Sequence, residues 1–306
     1  MSGHTGTPAQ GKGAPAAGRR DAVAAVRAQY QAVLDDMRTA LEAGDTAAYA
    51  RHFSLPLVTS NMDGSVRTET AEELSEVVAD YLDIYARRGI ARVEQRCEAA
   101  RIDPSGCLEG YHLTRFFGEG ANGTEVAHSR FVMTREDDAW KVIRLETGLE
   151  RSMWPMRPDR FEPIPGRDLT DDQFTAYSIV QAMLNITTLH VLNGDAEGFA
   201  QGALFPIFVQ SRQGRYTIDD IEALRKDMAL YREEFQIHGV DDVYRPLKSA
   251  EFVGPDKITG TYRTYILSRG GLVVEPYESA LTLQRCEDGR WRTTSIMHGL
   301  GHLNWR

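Results

Sequence analysis

The chain of 306 residues exceeds a usual single domain of about 100 to 200 residues, so two domains are expected, each able to bury its own core. A formal net charge of -9, with 35 Lys and Arg residues dispersed along the chain, opposes a phosphate backbone and argues against nucleic acid as a partner. The composition is that of an ordinary soluble globular protein, 42% hydrophobic and 26% charged. No apolar run approaches the roughly 18 residues that span a bilayer, so no membrane segment is expected.

In chain order, residues 1–20, "MSGHTGTPAQGKGAPAAGRR", are rich in Gly, Ala and Pro and lack the apolar centre of a secretory signal; a disordered tail and a cytoplasmic protein are expected. Cys97, Cys107 and Cys286 have no metal-ligand spacing and an odd count, which fits packing roles in a reducing compartment. Without export, the N-x-T triplets at Asn122 and Asn185 do not meet glycosylation machinery.

A first domain is expected over 21–150. Val23, Val26, Tyr30, Leu34, Met37 and Leu41 recur at spacings of three and four, which predicts an amphipathic helix. A short second helix and a hairpin turning at Asp63-Gly64 follow. Thr70 and Glu73 then form a capping box for a third helix with the stripe Leu74, Val78, Tyr81 and Tyr85, stopped by Gly89. Turn residues at "DPSG", "GEGANG" and "EDDA" separate four strands. Residues 151–169 carry four prolines within "ERSMWPMRPDRFEPIPGRDL" and read as an extended linker on which Trp154 packs.

The second domain, 170–306, repeats the phrase of the first. Gly44 matches Gly194, Pro56 matches Pro206, Gly64 matches Gly214 and Gly89 matches Gly239, a constant offset of 150 that slips by one only between Trp140 and Trp291. A period this long means two copies of a whole domain, since solenoid repeats run only about 20 to 50 residues. Its opening helix, "FTAYSIVQAMLNITTLHVL", is apolar around nearly its whole circumference and is expected to be buried on more than one side. Thr217 and Asp220 stand where the first copy has its capping box; the stripe Leu224, Met228, Tyr231, Phe235 and the stop Gly239 follow.

The order helix, helix, hairpin, helix, long strands resembles the nuclear transport factor 2-like superfamily, also called SnoaL-like, over about 130 residues in each half. "REDDAWKVIRLETG" and "CEDGRWRTTSIMHG" look like its closing hairpin, and "GDTAAYARHFS" looks like its second helix. The resemblance implies an α+β fold of two tandem cone-shaped domains, each with three helices packed in a strongly curved, mostly antiparallel sheet around an apolar pocket. It also implies pairing through outer sheet faces, which a two-copy chain can make within itself as a pseudo-dimer. The superfamily holds isomerases, cyclases, dehydratases and many non-enzymes, so the fold alone selects no function.

Strand alternation directs the more apolar face of "LEGYHLTRFF" and "ITGTYRTYIL" inward, which places His112 and Tyr262 at equivalent points on two cavity floors. His112 is the candidate catalytic acid or base, with Ser129 or Tyr111 in reach; its other reading is a hydrogen-bonded core histidine. Tyr30, Tyr81, Tyr85, Ser129, Phe131, Tyr177, Tyr231, Phe235, Tyr262 and Ser279 are the candidate pocket residues.

Ketosteroid-isomerase-like members carry a carboxylate just after the second helix, but "HFSLPLVT" and "ALFPIFVQ" hold no acid there, so that mechanism does not carry over. Tyr30 resembles the family's oxyanion-stabilising tyrosine, and His52, matched by Gly202, reads as a solvated helix-end residue. "GEGANG" lies between strands without a following helix, which argues against a dinucleotide. In "HGLGH", His298 and His302 lack a third ligand, so neither metal nor cofactor is expected.

Two functions remain open: an apolar small molecule bound in a cone, with cofactor-independent isomerase-, dehydratase- or cyclase-like chemistry, or a non-catalytic module with filled cones that works through its sheet faces. A cavity of about 300 Å³ or more reaching His112 or Tyr262 marks the first.

Overall fold

The computed structural model describes residues 16–118, 121–149 and 160–300. In the first half, α1 (Ala16–Glu42), α2 (Thr46–Ala50), β1 (Phe53–Ser60), β2 (Gly64–Thr68) and α3 (Ala71–Arg87) precede four long strands, β3 (Ile90–Ile102), β4 (Leu108–Gly118), β5 (Ala121–Glu136) and β6 (Ala139–Thr147). α1 starts inside the stretch expected as a tail, where Ala16, Ala17 and two arginines are good helix formers; residues 1–15 lie outside the described residues. Thr70 and Glu73 close the expected capping box of α3, and Gly89 follows in the left-handed region at φ 62°.

The strands order as β3-β4-β5-β6-β1-β2, antiparallel except where β6 and β1 run parallel. Irregularities at Cys97/Ala99, Arg115/Phe117 and Val132/Met133 shift the β3–β4, β4–β5 and β5–β6 registers, and such bulges bend a sheet. Against one face lie α1 and α3. Tyr30, Leu34 and Met37 meet Leu74, Val78, Leu108, Phe131 and Met133 in one apolar core. From residues 160–169, β7 (Glu162–Pro163) pairs with β2 at the sheet edge; residues 151–159 of the expected linker lie outside the described residues. Trp154 lies outside the described residues.

The same order recurs after residue 170. Helices α4 (Asp171–Asn193) and α5 (Ala196–Gln201) lead to β8 (Ala203–Ser211), β9 (Gly214–Ile218) and α6 (Ile221–His238). Strands β10 (Asp242–Tyr244), β11 (Leu247–Gly254), β12 (Lys257–Ser268), β13 (Gly271–Leu272), β14 (Tyr277–Arg285) and β15 (Trp291–His298) complete it. Arg245-Pro246 splits the counterpart of β3 into β10 and β11, since proline offers no N–H to the ladder. The N-cap of α6 is Asp220, whose side chain accepts from Ala223 N–H, whereas Thr217 lies within β9; the expected capping position thus reduces to one residue.

α4 is buried on two sides, as its apolar circumference predicts. Ala176, Val180, Met183 and Leu184 face Leu247, Ile258, Tyr262 and Leu283 of its own sheet. Ile186 and Leu189 instead cluster with Ala99 and Tyr111 on the outer face of the first sheet. Arg290 donates to buried Glu98 at 2.6 Å, and Arg101 donates to Asp242 at 3.1 Å, both across the two halves. The first sheet's outer face is therefore met mainly by α4, with Asp242 of β10 and Arg290 at its margins. Among the described residues no helix is long and apolar enough to cross a membrane.

Candidate functional site

Register aligns one row of residues across each sheet. Cys97, His112, Ser129 and Thr147 are successive neighbours on β3 to β6; Leu247, Tyr262, Ser279 and His298 are their counterparts on β11, β12, β14 and β15. The inward direction is confirmed by the glycines two positions earlier. A Cβ on Gly110 would stand 2.4 Å from the Tyr30 ring, and one on Gly260 would stand 2.6 Å from Val180. Tyr30 and Val180 occupy matched positions of α1 and α4, a first difference between the two cones.

In the first cone the Tyr30 hydroxyl donates to Gly110 C=O at 2.8 Å, accepts from Phe131 N–H at 3.1 Å and lies 2.8 Å from His112 Nδ1. The hydroxyl has a single proton, and the Gly110 carbonyl can only accept, so Nδ1 carries the hydrogen and Nε2 is the ring's acceptor. Tyr30 is thereby a staple between β4 and β5 that orients His112 from behind. Burial, and after it the neighbouring His128, lowers His112 to about 3. A ring held neutral down to that pH accepts a hydrogen bond but does not store a proton near neutrality. The remaining cavity is about 50 Å³, lined by His112, Thr114, Ser129, Phe131, Thr147 and Gln95 beside the apolar walls of α2, α3 and β1.

The second cone has valine where the staple would be, and it is roomier, about 90 Å³. Its floor carries Tyr262, Thr264, Tyr277 and Ser279, and its walls include Met183, Met228, Tyr231 and Phe235. Tyr231 Oη lies 3.2 Å from His298 Nε2, and Tyr216 donates to Asp227 at 3.0 Å. Arg245, matched by Gln95 in the first cone, is the cation of this lining. Burial pushes Tyr277 up to about 12, so its hydroxyl keeps its proton at neutral pH. Both cavities fall short of the 300 Å³ expected for a ligand-binding cone.

No family model matches the chain, and no curated protein matches it. Solved structures are similar to about 40% of it. An NTF-2 like protein of unknown function from Shewanella oneidensis is 15% identical over 40% of this chain and 96% of its own, with a TM-score of 0.32. An NTF2-like protein with a cystatin-like fold from Novosphingobium aromaticivorans is 16% identical over 41% of this chain and 81% of its own, at 0.33. Aln2 from a Streptomyces species is 17% identical over 40% and 89%, at 0.35. The element order that the sequence resemblance implies is present in both halves. In that order each half is similar to an NTF2-like fold.

The expected site residues divide between the two cavities. Tyr81, Ser129, Phe131 and His112 line the first cavity; Tyr231, Phe235, Tyr262 and Ser279 line the second. Three expected wall residues lie elsewhere. Tyr30 is sealed behind His112 by its hydrogen bonds, and Tyr85 packs edge-on against Phe116 with its hydroxyl on Tyr81. Tyr177 points out of its cone, donating to Lys248 C=O at 2.7 Å in the cleft between the halves. His52 lines neither cavity. His298 is a cavity residue, not one of a metal-binding group among the described residues, and His302 lies outside them. So do residues 119 and 120 of the glycine-rich turn.

The state of His112 gives a testable pH dependence. Its folded pKa lies below the ordinary 6.5, so its contribution is complete above about pH 6.5 and is lost as pH falls toward 3. From pH 7.5 to pH 5 the loss from this residue is expected to be about 2 kcal/mol, at 1.36 kcal/mol per unit below its unfolded pKa. Urea unfolding of His112→Phe against pH should show that limb removed; an unchanged limb would assign it to other groups.

Proposed function

We propose that the chain binds a small molecule in its second cone, while the first cone serves as a filled structural module. The observation carrying this is Arg245, a guanidinium in the lining of the larger cavity with no ion pair among the described residues. The first cone has a neutral histidine, held through Nδ1 by Tyr30, at the matched floor position and little free space. A protein cavity of about 150 Å³ accommodates benzene, so the second cone as it stands takes a smaller molecule. Apolar walls contribute burial, and the floor hydroxyls fix orientation. Any acid/base turnover falls to His298 beside Tyr231 rather than to His112.

Native mass spectrometry of the purified chain, followed by denaturing extraction, tests this. One small molecule per chain is expected, and Ser279→Phe, which fills the second floor, should abolish it. A bound molecule that survives Ser279→Phe overturns the assignment, as does a chain that carries none and shows no thermal response to small probes.

A further inference from the structure

Arg245 stands at the break between β10 and β11, where it lines both the second cavity and a cleft of about 410 Å³ between the halves. Its backbone carbonyl accepts from Gln181 at 3.1 Å. Its Nε, by contrast, is buried with no hydrogen-bond partner. The arginines around that cleft are engaged: Arg101 on Glu109 and Asp242, Arg130 on Glu109 and Glu146, Arg167 on the Met62 carbonyl. The Arg245 side chain is half-buried, its Nε is sealed from water, and no carboxylate pairs with it among the described residues, so this point of the lining suits a negatively charged group.

That charge acts inside the cone. Burial raises the hydroxyls of Tyr231, Tyr262 and Tyr277, and Arg245 draws each back. Beside them Ser279 Oγ is buried against the Tyr262 hydroxyl without a well-formed hydrogen bond, which leaves it free to turn to a ligand. The carboxylate of the lining, Asp227, accepts from Tyr216 and forms no ion pair with Arg245 among the described residues. A planar guanidinium presents paired N–H groups that match the two oxygens of a carboxylate, and hydroxyl donors suit the lone pairs left over. The cavity volume of about 90 Å³ restricts the carbon skeleton to a few atoms, which fit against Met183, Met228 and Phe235.

We propose that the second cone binds a short-chain aliphatic carboxylate, its two oxygens paired with Arg245 and a hydroxyl of the floor, its chain on the apolar wall; this rests on the second cone being the binding site.

Thermal unfolding and titration calorimetry of the full chain at constant ionic strength test it with acetate, propionate and butyrate, the matching amides, and inorganic phosphate. Saturable stabilisation by the carboxylates is expected, with amides and phosphate at least tenfold weaker. Arg245→Met should abolish the carboxylate response while its ligand-free Tm equals or exceeds that of the natural chain, because an unpaired charge has been removed. Arg245→Lys should weaken the response, losing the planar fork. Should Arg245→Met fail to fold, Ser279→Ala is expected to weaken carboxylate binding several-fold with the fold intact. Equal stabilisation by amides or phosphate overturns the carboxylate assignment and leaves small-molecule binding standing. An undiminished response in Arg245→Met overturns the role of the arginine, and an undiminished response in Ser279→Ala overturns that of the floor hydroxyl. Silence from carboxylates and amides alike overturns both readings.

Discussion

Gly110→Ala is expected to lower the unfolding free energy of the first half by about 3 kcal/mol, combining an overpacked core with broken buried hydrogen bonds. The added methyl would stand 2.4 Å from Tyr30 Cε2 and 2.9 Å from Cγ, so the ring cannot yield by swinging its tip; it has to move from its root. Moving it withdraws the hydroxyl from Gly110 C=O, Phe131 N–H and His112 Nδ1 together. The cost therefore belongs to the pair. In a double-variant cycle, Gly110→Ala added to Tyr30→Ala should cost much less than Gly110→Ala alone, giving a coupling of about 1–3 kcal/mol. Additive effects in urea unfolding would show that the glycine and the ring do not share this site.

The same geometry explains what could be read in the sequence. The constant offset of 150 aligns Gly110 with Gly260 and His112 with Tyr262, and alternation alone sends both rows inward, as observed. Capping and left-handed stops at Thr70, Gly89 and Gly239 are local backbone chemistry, so they too were legible. Helical stripes were less informative. Spacing says that Tyr30, Tyr85 and Tyr177 leave the polar face of their helices, but not whether the ring reaches the cavity, is covered by a strand or points into the cleft.

Arg245 escaped notice because nothing at a single position sets it apart. Its signal lies in the alignment: it falls opposite Gln95, and the proline beside it interrupts a strand that the first half keeps whole. Cavity size was not legible at all, since it depends on how far α4 and α6 stand from the floor. The contact between the halves was legible only in part. The apolar circumference of α4 demanded a second neighbour, yet the identity of that neighbour, Ala99 and Tyr111 on the first sheet, is a tertiary fact.

The outer face of the first sheet yields the other large expected effect. Glu109 is buried there between Arg101 and Arg130, accepting from Arg101 Nε at 2.8 Å and from Arg130 Nε at 2.9 Å, while Arg101 continues to Asp242 of the second half. Glu109→Gln keeps the volume but removes the charge that both guanidinium groups share, and breaking a buried pair in this way is expected to cost about 3–5 kcal/mol at pH 7. Burial pushes the Glu109 carboxyl up, but Arg130 and Arg101 more than offset it and hold it below its usual 4.5. Because the folded pKa is the lower one, this stabilisation is complete above about pH 4.5 and is lost as pH falls through the folded value. The difference between the natural chain and Glu109→Gln in urea unfolding should thus be constant from pH 8 to about pH 5 and narrow below it. Asp242→Asn should cost less, since its carboxylate is far more exposed and Arg101 retains Glu109. A Glu109→Gln penalty below ~1 kcal/mol, the level of an exposed pair, would mean that water reaches these charges and that the face is not closed by α4.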